Sequence, residues 1–554
     1  MIDKLSRHFI FGFVGLTLLS SCGVSKSLKD RPDVSTYDQT IPQRKQINDS
    51  TYIISDNYLT KNRLGQWEMY VSGDPYHRGL VMGNLTEELF HFQEAVFFDK
   101  VETIVPSKFK QYLLRKFLAW YNRKMYLYIP EEYKSEILGL SKFAGEEHDE
   151  IASPYMRILY LHGAHDIGHA LQDLALVGCS SFATWGDKTE DGSLIIGRNF
   201  DFYAGDDFSK NKIIAFINPV EGYKFMSVTW AGMVGVASGM NEQGLTVTIN
   251  AGKSDIPLAA KTPISIVTRE ILQYASNIEE AIAIAKKRKV FVSESIFVGS
   301  ANDKKAVLIE TAPDNFGVYE VQNTDHLICT NHFQSTPFAK DERNNEHIED
   351  SHSQYRYERL EELLNEQTIV TPKVAADILR NTRGVNNKSI GYGNEKALNQ
   401  LLAHHAIIFK PEQRLVWVSS NPYQLGAFTA YDLNKVFTEA PKNSGEASLQ
   451  EANLLIEKDT FLYSEAYKNY QTYRQISTLV SSAIENKQDI APETLKELQT
   501  SNPDFWEVYY LAGQYYEQKG YDKAAVLAYE KALTKEITTL TDKEAIEKRL
   551  KKLN

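Results

Sequence analysis

Cysteine is nearly absent: 3 occur in 554 residues, Cys22, Cys179 and Cys329. A disulfide framework is therefore excluded and each cysteine is judged singly. Basic excess is also missing, with 61 Lys and Arg against 72 Asp and Glu, a formal charge of -11. No positive stripe is left to neutralise phosphates, so nucleic acid is not the expected partner, and the charge reads as a solubility device. Beyond the first twenty residues no apolar run is long enough to span a bilayer. There is no low-complexity block, no phosphate-cradling glycine loop and no zinc motif. Gly232, Gly235 and Gly239 read as tight turns. No metal or other cofactor is expected.

What is present is a globular composition, 43% apolar and 24% charged. A chain this long divides into two or three folding units. The N-terminus reads as a targeting segment: Lys4 and Arg7 precede a short apolar run from Phe9 to Leu19, ending in Leu19-Ser20-Ser21-Cys22. This resembles a bacterial lipoprotein signal over residues 1–21, with Cys22 as the lipidated first residue of the mature chain. Two kinds of acyl attachment would then hold the protein stably at a membrane of the cell envelope, on its periplasmic or outer-surface side. Residues 22–51 are polar and weakly patterned, and read as a flexible tether.

Three regions follow. Residues 52–178 show mainly helical spacing, clearest over Glu87–Phe98 and Lys108–Tyr128. Residues 179–438 change to short β-branched and aromatic runs such as Leu194-Ile195-Ile196, Leu245–Ile249 and Leu415–Val418, interrupted by helical patterns at Ile264–Lys289 and Gln354–Asn365. That mixture reads as a layered α+β domain. A linker is expected over Glu439–Ala452. In the helical region 455–554, Tyr509, Ala512, Gly513, Tyr516, Gly520, Ala525, Tyr529 and Ala532 fall at tetratricopeptide-repeat spacing, and a plain helical hairpin fits them as well. These helices are a candidate surface for a protein partner.

The densest chemical signal is Gly178-Cys179-Ser180-Ser181-Phe182, followed by Arg198-Asn199-Phe200-Asp201. Alone, Cys179 reads as a small buried apolar residue. Its place at the junction of helical and strand-rich regions, after a glycine and before a strand carrying Arg198 and Asp201, shifts the reading towards a nucleophile.

With these motifs the sequence resembles the cysteine N-terminal-nucleophile (Ntn) hydrolases. The likeness is to the isopenicillin N acyltransferase-like family and, more distantly, to the choloylglycine hydrolases. Gly73-Asp74-Pro75-Tyr76-His77-Arg78-Gly79 with Gly83 is similar to the family's entry motif, and Gly239–Leu245 ending at Asn250 to its oxyanion segment. Thr330-Asn331-His332-Phe333 matches a second Asn-bearing turn, and Arg356, with Arg359 as alternative, a late Ser-x-x-Arg. The resemblance implies a four-layer αββα sandwich with a helical pro-segment. It also implies cleavage of the Gly178–Cys179 bond, after which the new α-amine of Cys179 takes the thiol proton. Asp201 would orient that amine, Arg198 would stabilise the thiolate, and Asn250 would donate to the oxyanion. Asn331 would hold the amine or substrate, and Arg356 would pair with Asp201 or Cys179.

The expected reaction is hydrolysis or acyl transfer on linear amides of small N-acylated compounds, through a thioester. The alternatives are a peptidoglycan- or peptide-directed amidase and a non-catalytic binding lipoprotein. His162, His165 and His169 at helical spacing read as packing residues rather than a metal site. Of His404 and His405, one is expected inside and one exposed, and Cys329 is expected buried in a strand.

Overall fold

The computed structural model describes residues 21–149, 152–163, 166, 177–255, 257, 259–443, 445 and 447–553. The apolar run ending at Leu19, as well as His165 and His169, lies outside them. The described chain opens with helix α1 (Ser21–Ser27) and four strands: β1 (Lys45–Asn48), β2 (Thr51–Ile54), β3 (Asn57–Lys61) and β4 (Trp67–Gly73). Helix was expected from residue 52. Instead, the runs Tyr52-Ile53-Ile54, Tyr58-Leu59 and Met69-Tyr70-Val71 are broken by turns too often for a 3.6-residue period to develop, and their β-branched and aromatic residues suit a half-buried strand.

Nor do residues 22–51 hang free. Arg44 pairs with Glu88 at 2.7 Å, Asn84 Nδ2 donates to Pro42 O at 2.7 Å, and Tyr37 stacks on Tyr76. Their few large side chains find partners on the helices, which a composition average does not reveal.

A helical layer follows: α2 (Pro75–Leu85), α3 (Glu87–Ile104), α4 (Lys108–Tyr121), α5 (Glu131–Leu140) and α6 (Pro154–Leu161). The entry motif acts here as a packing device. Asp74 caps α2 by accepting from His77 N, and Arg78 makes a buried ion pair with Glu136 at 2.6 Å. Gly79 and Gly83 let α2 cross α5 backbone to backbone. A Cβ at Gly79 would stand 2.8 Å from Glu136 C and 2.9 Å from Leu140 N, closer than real Cβ contacts come.

Next come β5 (Val177–Gly186), β6 (Gly192–Phe202), β7 (Ile213–Pro219), β8 (Phe225–Thr229), β9 (Ser238–Asn241) and β10 (Leu245–Ala251). The expected helix at 264–289 is two, α7 (Ile264–Tyr274) and α8 (Ile278–Lys287), parted where Asn277 caps the second. Beyond them lie β11 (Glu294–Ser300), β12 (Lys305–Thr311), β13 (Phe316–Tyr319), β14 (His326–Cys329), α9 (Glu342–Asp350), α10 (Ser353–Glu366), α11 (Pro372–Leu379), β15 (His405–Lys410), β16 (Leu415–Ser419), β17 (Phe428–Asp432) and α12 (Leu433–Asn443).

The strands form two sheets. One has eleven strands, ordered β1-β2-β3-β4-β7-β8-β9-β10-β11-β12-β13; the other has six, ordered β14-β5-β6-β15-β16-β17. Ala183, Leu194 and Ile196 of the smaller sheet pack on Ile214, Phe216, Met226 and Val228 of the larger. The far face of the larger sheet meets α2, α5 and α7, while that of the smaller meets Leu360, Leu364, Ala376 and Leu379 of α10 and α11. Helix, sheet, sheet and helix thus form the four layers of an α+β sandwich, the αββα order that the resemblance implies. β4 pairs in parallel with β7, so residues before Cys179 supply four strands of the sheet as well as helices.

The segment expected as a linker belongs to the fold. α12 runs to Asn443, and Ser448 Oγ and Leu449 N donate to the buried Glu68 carboxylate. Five helices close the chain: α13 (Glu465–Glu485), α14 (Pro492–Ser501), α15 (Trp506–Gln518), α16 (Asp522–Leu533) and α17 (Leu540–Leu553). They share a core that includes Val480, Leu498, Val508 and Tyr529. They also grip the segment before β15: Asn502 and Tyr392 exchange hydrogen bonds, and Glu536 pairs with Lys396 at 2.7 Å.

Candidate active site

Cys179 sits on β5 inside the smaller sheet, wholly buried. Antiparallel pairing with β6 sets Gly178 opposite Asp201, Cys179 opposite Phe200 and Ser181 opposite Arg198. This register alone brings the two sequence motifs together, because directly opposite residues lie within about 5.5 Å of each other.

Asn331 and Arg356 arrive from far along the chain. The Cys179 N–H donates to Asn331 Oδ1 at 2.9 Å. Arg356 Nη1 donates to Cys179 O at 2.5 Å and to Ser180 Oγ at 2.9 Å, and its Nη2 donates to Asn331 Oδ1 at 2.7 Å. Both main-chain polar groups of Cys179 are thereby held. The alternative Arg359 turns away and pairs with Glu362 at 2.9 Å. Ser353, three residues before Arg356 and at the start of α10, accepts from Asn331 N at 2.8 Å and contacts His332 Nδ1 at 2.9 Å. The Ser-x-x-Arg motif therefore fixes the Asn331 turn with its serine and reaches Cys179 with its arginine one helical turn later.

Arg198 is buried, with its guanidinium over the Phe200 ring at 4.2 Å. It donates to Cys179 Sγ at 3.7 Å, to Ser238 Oγ at 2.6 Å and to Ile249 O. Burial pushes the Cys179 thiol up to about 11, against the opposing pull of Arg198. In the uncut chain the thiol is therefore protonated and a poor nucleophile near neutral pH.

Asp201 is wholly buried, and neither carboxylate oxygen has a partner among the described residues. Burial raises it to about 7, despite the nearby guanidinium groups of Arg356 and Arg198. Asn250 stands differently from its expected posture. Its Nδ2 donates to Cys329 O at 3.3 Å and Thr330 O at 3.1 Å, and its Oδ1 accepts from Ser181 Oγ at 2.9 Å. Both amide hydrogens are thus engaged, and an oxyanion role requires that amide to shift.

Several residues near the site were given no part in it by the sequence reading. Ser238 Oγ links Arg198 to His405 Nε2 at 2.9 Å, and His405 Nδ1 meets His404 Nδ1 at 2.9 Å. Both histidines are buried, whereas one was expected to be exposed. His404 precedes β15, so strand alternation does not separate them, and it packs against Phe208 and Trp230. Glu294 on β11 is also buried near Cys179, its carboxyl held well above the usual range by burial. The sequence singled out the histidine pair without giving it a part in the site, Ser238 merely adjoins the Gly239 motif, and nothing marked Glu294. Cys329 is buried in β14, as expected. His162 is structural: its Nδ1 meets Ile158 O and its Nε2 accepts from Val234 N. Among the described residues no cluster of potential metal ligands forms.

Beside the site an aromatic cleft is lined by Phe90, Phe97, Phe202, Phe208, Trp230 and Met233. Phe202 is the residue after Asp201 in sequence, and its ring stacks on Phe200.

Two facing sheets between helical layers, with Cys179 near the start of β5 and Arg198 and Asp201 towards the end of the neighbouring β6, are the arrangement that the resemblance to Ntn hydrolases implies. Residues 188–422 match the family model described as acyl-coenzyme A:6-aminopenicillanic acid acyl-transferase. The match includes Arg198, Asp201, Asn250, Asn331 and Arg356 and begins after Cys179.

Among curated proteins, an uncharacterized protein of Archaeoglobus fulgidus is 25% identical over 47% of this chain and 46% of its own. Protein dcd1B of Dictyostelium discoideum is 21% identical over 46% of this chain and 51% of its own. The chain thus spans about half the length of the curated relatives it matches. Among solved structures, the Caenorhabditis elegans N-acylethanolamine-hydrolyzing acid amidase ortholog is 18% identical with TM-score 0.31, over 42% of this chain and 93% of that one. Conjugated bile acid hydrolase of Clostridium perfringens is 16% identical with TM-score 0.31, over 46% and 93%. Penicillin V acylase of Agrobacterium tumefaciens is 14% identical with TM-score 0.28, over 46% and 92%.

Proposed function

We propose that the protein is a self-processing amidohydrolase or acyltransferase of the cell envelope, anchored through Cys22, with Cys179 as its nucleophile. The observation that carries the reading is Asp201: a buried carboxylate with no hydrogen-bond partner among the described residues, opposite Gly178 in the strand ladder. An unpaired buried charge is costly. The cost disappears once the Gly178–Cys179 bond is cut and an α-ammonium forms beside it.

In the first step the Cys179 thiol attacks the Gly178 carbonyl, and the acyl group moves from nitrogen to sulfur. Water then hydrolyses the thioester, leaving a Gly178 carboxylate and a free Cys179 amine. Asn331 Oδ1, already an acceptor for Cys179 N, continues to hold the amine. That amine takes the thiol proton, and Arg198 stabilises the thiolate. In turnover the thiolate attacks a linear amide, the amine of the substrate leaves, and water or a second amine resolves the thioester.

The aromatic cleft beside Phe200 supports an apolar acyl group, in the manner of small-ligand sites with few polar groups. A small N-acylated amine or amide is the substrate class proposed. The two cut chains stay associated, since β4 and β7 are hydrogen-bonded neighbours. Because the C-terminal helices grip the segment that precedes β15, they serve the catalytic domain first, and a tetratricopeptide-like protein contact second.

The test is the mass of the mature protein under denaturing conditions. Wild type is expected as two fragments, the heavier starting at Cys179, while Cys179→Ala remains whole. A wild type that remains whole would leave a binding lipoprotein.

A further inference from the structure

Among the described residues, exposed apolar side chains and positive charge coincide along the stretch that holds α4. Residues 103–130 contain no Asp or Glu and six basic residues, Lys108, Lys110, Arg115, Lys116, Arg123 and Lys124, in a chain whose net charge is -11. Ile104 (40% exposed), Phe109 (70%), Tyr112 (54%) and Leu127 (61%) stand out from the same stretch. Although α4 is rich in apolar residues, only Gln111 and Tyr121 of it are buried. Phe109, Tyr112, Lys116, Trp120 and Arg123 follow one another at three- and four-residue spacing, so they share one stripe. The cations lie against its rings: Lys116 Nζ is 5.4 Å from the centre of Tyr112, and the Arg123 guanidinium is 4.3 Å from Trp120. An amphipathic helix with Lys and Arg beside aromatic and leucine side chains has the composition of an interfacial helix.

A second observation fixes the orientation. α1 packs beside α4, and a side chain at Gly23 would meet Arg123 Cδ at 3.3 Å. Cys22 immediately precedes Gly23, so a lipid carried there, as proposed above, would leave the main chain beside Arg123 at the C-terminal end of α4. Leu28, 43% exposed, extends the apolar rim just past α1.

We infer that the outward face of α4 is a docking surface for an anionic lipid bilayer, with Phe109 and Tyr112 entering the interface and Lys108, Lys110, Lys116 and Lys124 meeting the headgroups. It forms a second attachment beside Cys22, holding the molecule in one orientation. Two attachments raise membrane avidity because the second forms at high effective concentration. α3, joined to α4 through Val105–Ser107, supplies Phe90 and Phe97 to the aromatic cleft, so this orientation sets the cleft's distance from the bilayer. The inference does not depend on Cys179 chemistry.

The test uses the full chain carrying Cys22→Ser, with and without Phe109→Glu and Tyr112→Glu. Both proteins then lack acyl chains and share one N-terminus, so any difference reads α4. Co-sedimentation is measured with vesicles of phosphatidylglycerol and phosphatidylethanolamine, and with phosphatidylcholine alone. The expected result is binding to anionic vesicles that the double variant weakens at least ten-fold, that high salt weakens, and that phosphatidylcholine does not reproduce. Equal sedimentation of the two proteins overturns the proposal. So does absence of vesicle binding accompanied by self-association that the double variant abolishes, which would assign the face to a second copy. Retained cooperative unfolding in the double variant, whose substituted residues are exposed, shows that loss of binding is not loss of fold.

Discussion

Asp201 and Gly178 are directly opposed residues of the β5–β6 ladder, and the Asp201 carboxylate is buried there without a hydrogen-bond partner among the described residues. This predicts opposite effects of Asp201→Asn before and after processing. In the uncut Cys179→Ala protein the carboxyl is raised from 3.8 to about 7. Between those values the folded state keeps a proton that the unfolded state has lost, so stability falls as pH rises and levels off above pH 7. The loss amounts to at most about 4 kcal/mol for three pKa units. Asp166, raised to about 8, contributes with the same sign, so the difference between Cys179→Ala and the double variant isolates Asp201. Urea unfolding at pH 5 and pH 8 should show Asp201→Asn stabilising at both, and more so at pH 8 by up to about 3 kcal/mol, for the two pKa units between pH 5 and pH 7. In an otherwise wild-type background the same change should abolish turnover, since the α-ammonium loses its counter-ion.

Arg198→Lys should keep the charge and lose the fork. The guanidinium serves Cys179 Sγ, Ser238 Oγ and Ile249 O together, which one ammonium on a flexible stem does not reproduce. In the processed protein, alkylation of Cys179 by iodoacetamide at pH 7 should slow by about ten-fold or more, the consequence of one unit of lost thiolate stabilisation. An unchanged rate would remove Arg198 from the nucleophile's activation.

Arg356→Ala should be costlier for the fold. Arg356 is buried and spans Cys179 O, Ser180 Oγ and Asn331 Oδ1. Removing a buried charged partner typically costs about 3–5 kcal/mol. Chemical denaturation of the Cys179→Ala background measures this without interference from processing, while Arg359→Ala, whose guanidinium pairs with the half-buried Glu362, should cost clearly less.

Gly79→Ala tests the packing account of the entry motif. With Glu136 and Leu140 main-chain atoms already inside contact distance of a Cβ, α2 and α5 must part. Overpacking of this kind costs about 1–3 kcal/mol or more, read as a lowered Tm. None of the three atoms nearest to a Cβ at Gly79 belongs to a cleft residue, so thiol reactivity of whatever folds should persist. A drop in reactivity at unchanged Tm would give the motif a chemical role instead.

Local pattern carried a good part of this structure. The Cys179 and Arg198-to-Asp201 motifs lie on neighbouring strands, and two strands joined by a short turn pair with each other, so their meeting was legible. The long helices α3, α4 and α10 were legible from periodicity. The meander β1–β4 was not, because runs of four to seven residues hold too few periods to distinguish strand from helix. Nor was the ordered path of residues 22–51, which depends on partners such as Glu88 and Tyr76 elsewhere in the chain.

By itself, then, the sequence determined the residue types, their order, the helical layer and the hairpin carrying Cys179, all of which follow from neighbours in the chain. Tertiary structure decided which distant groups touch that cysteine. Asn331 and Arg356 lie 152 and 177 residues from Cys179 and still hold its two backbone groups. The same packing engaged both amide hydrogens of Asn250, buried His404 with His405, and left Asp201 without a hydrogen-bond partner among the described residues, opposite Gly178. The physical reason is that strand order and register between sheets, rather than any local preference, determine which polar atoms are brought within about 3 Å of one another.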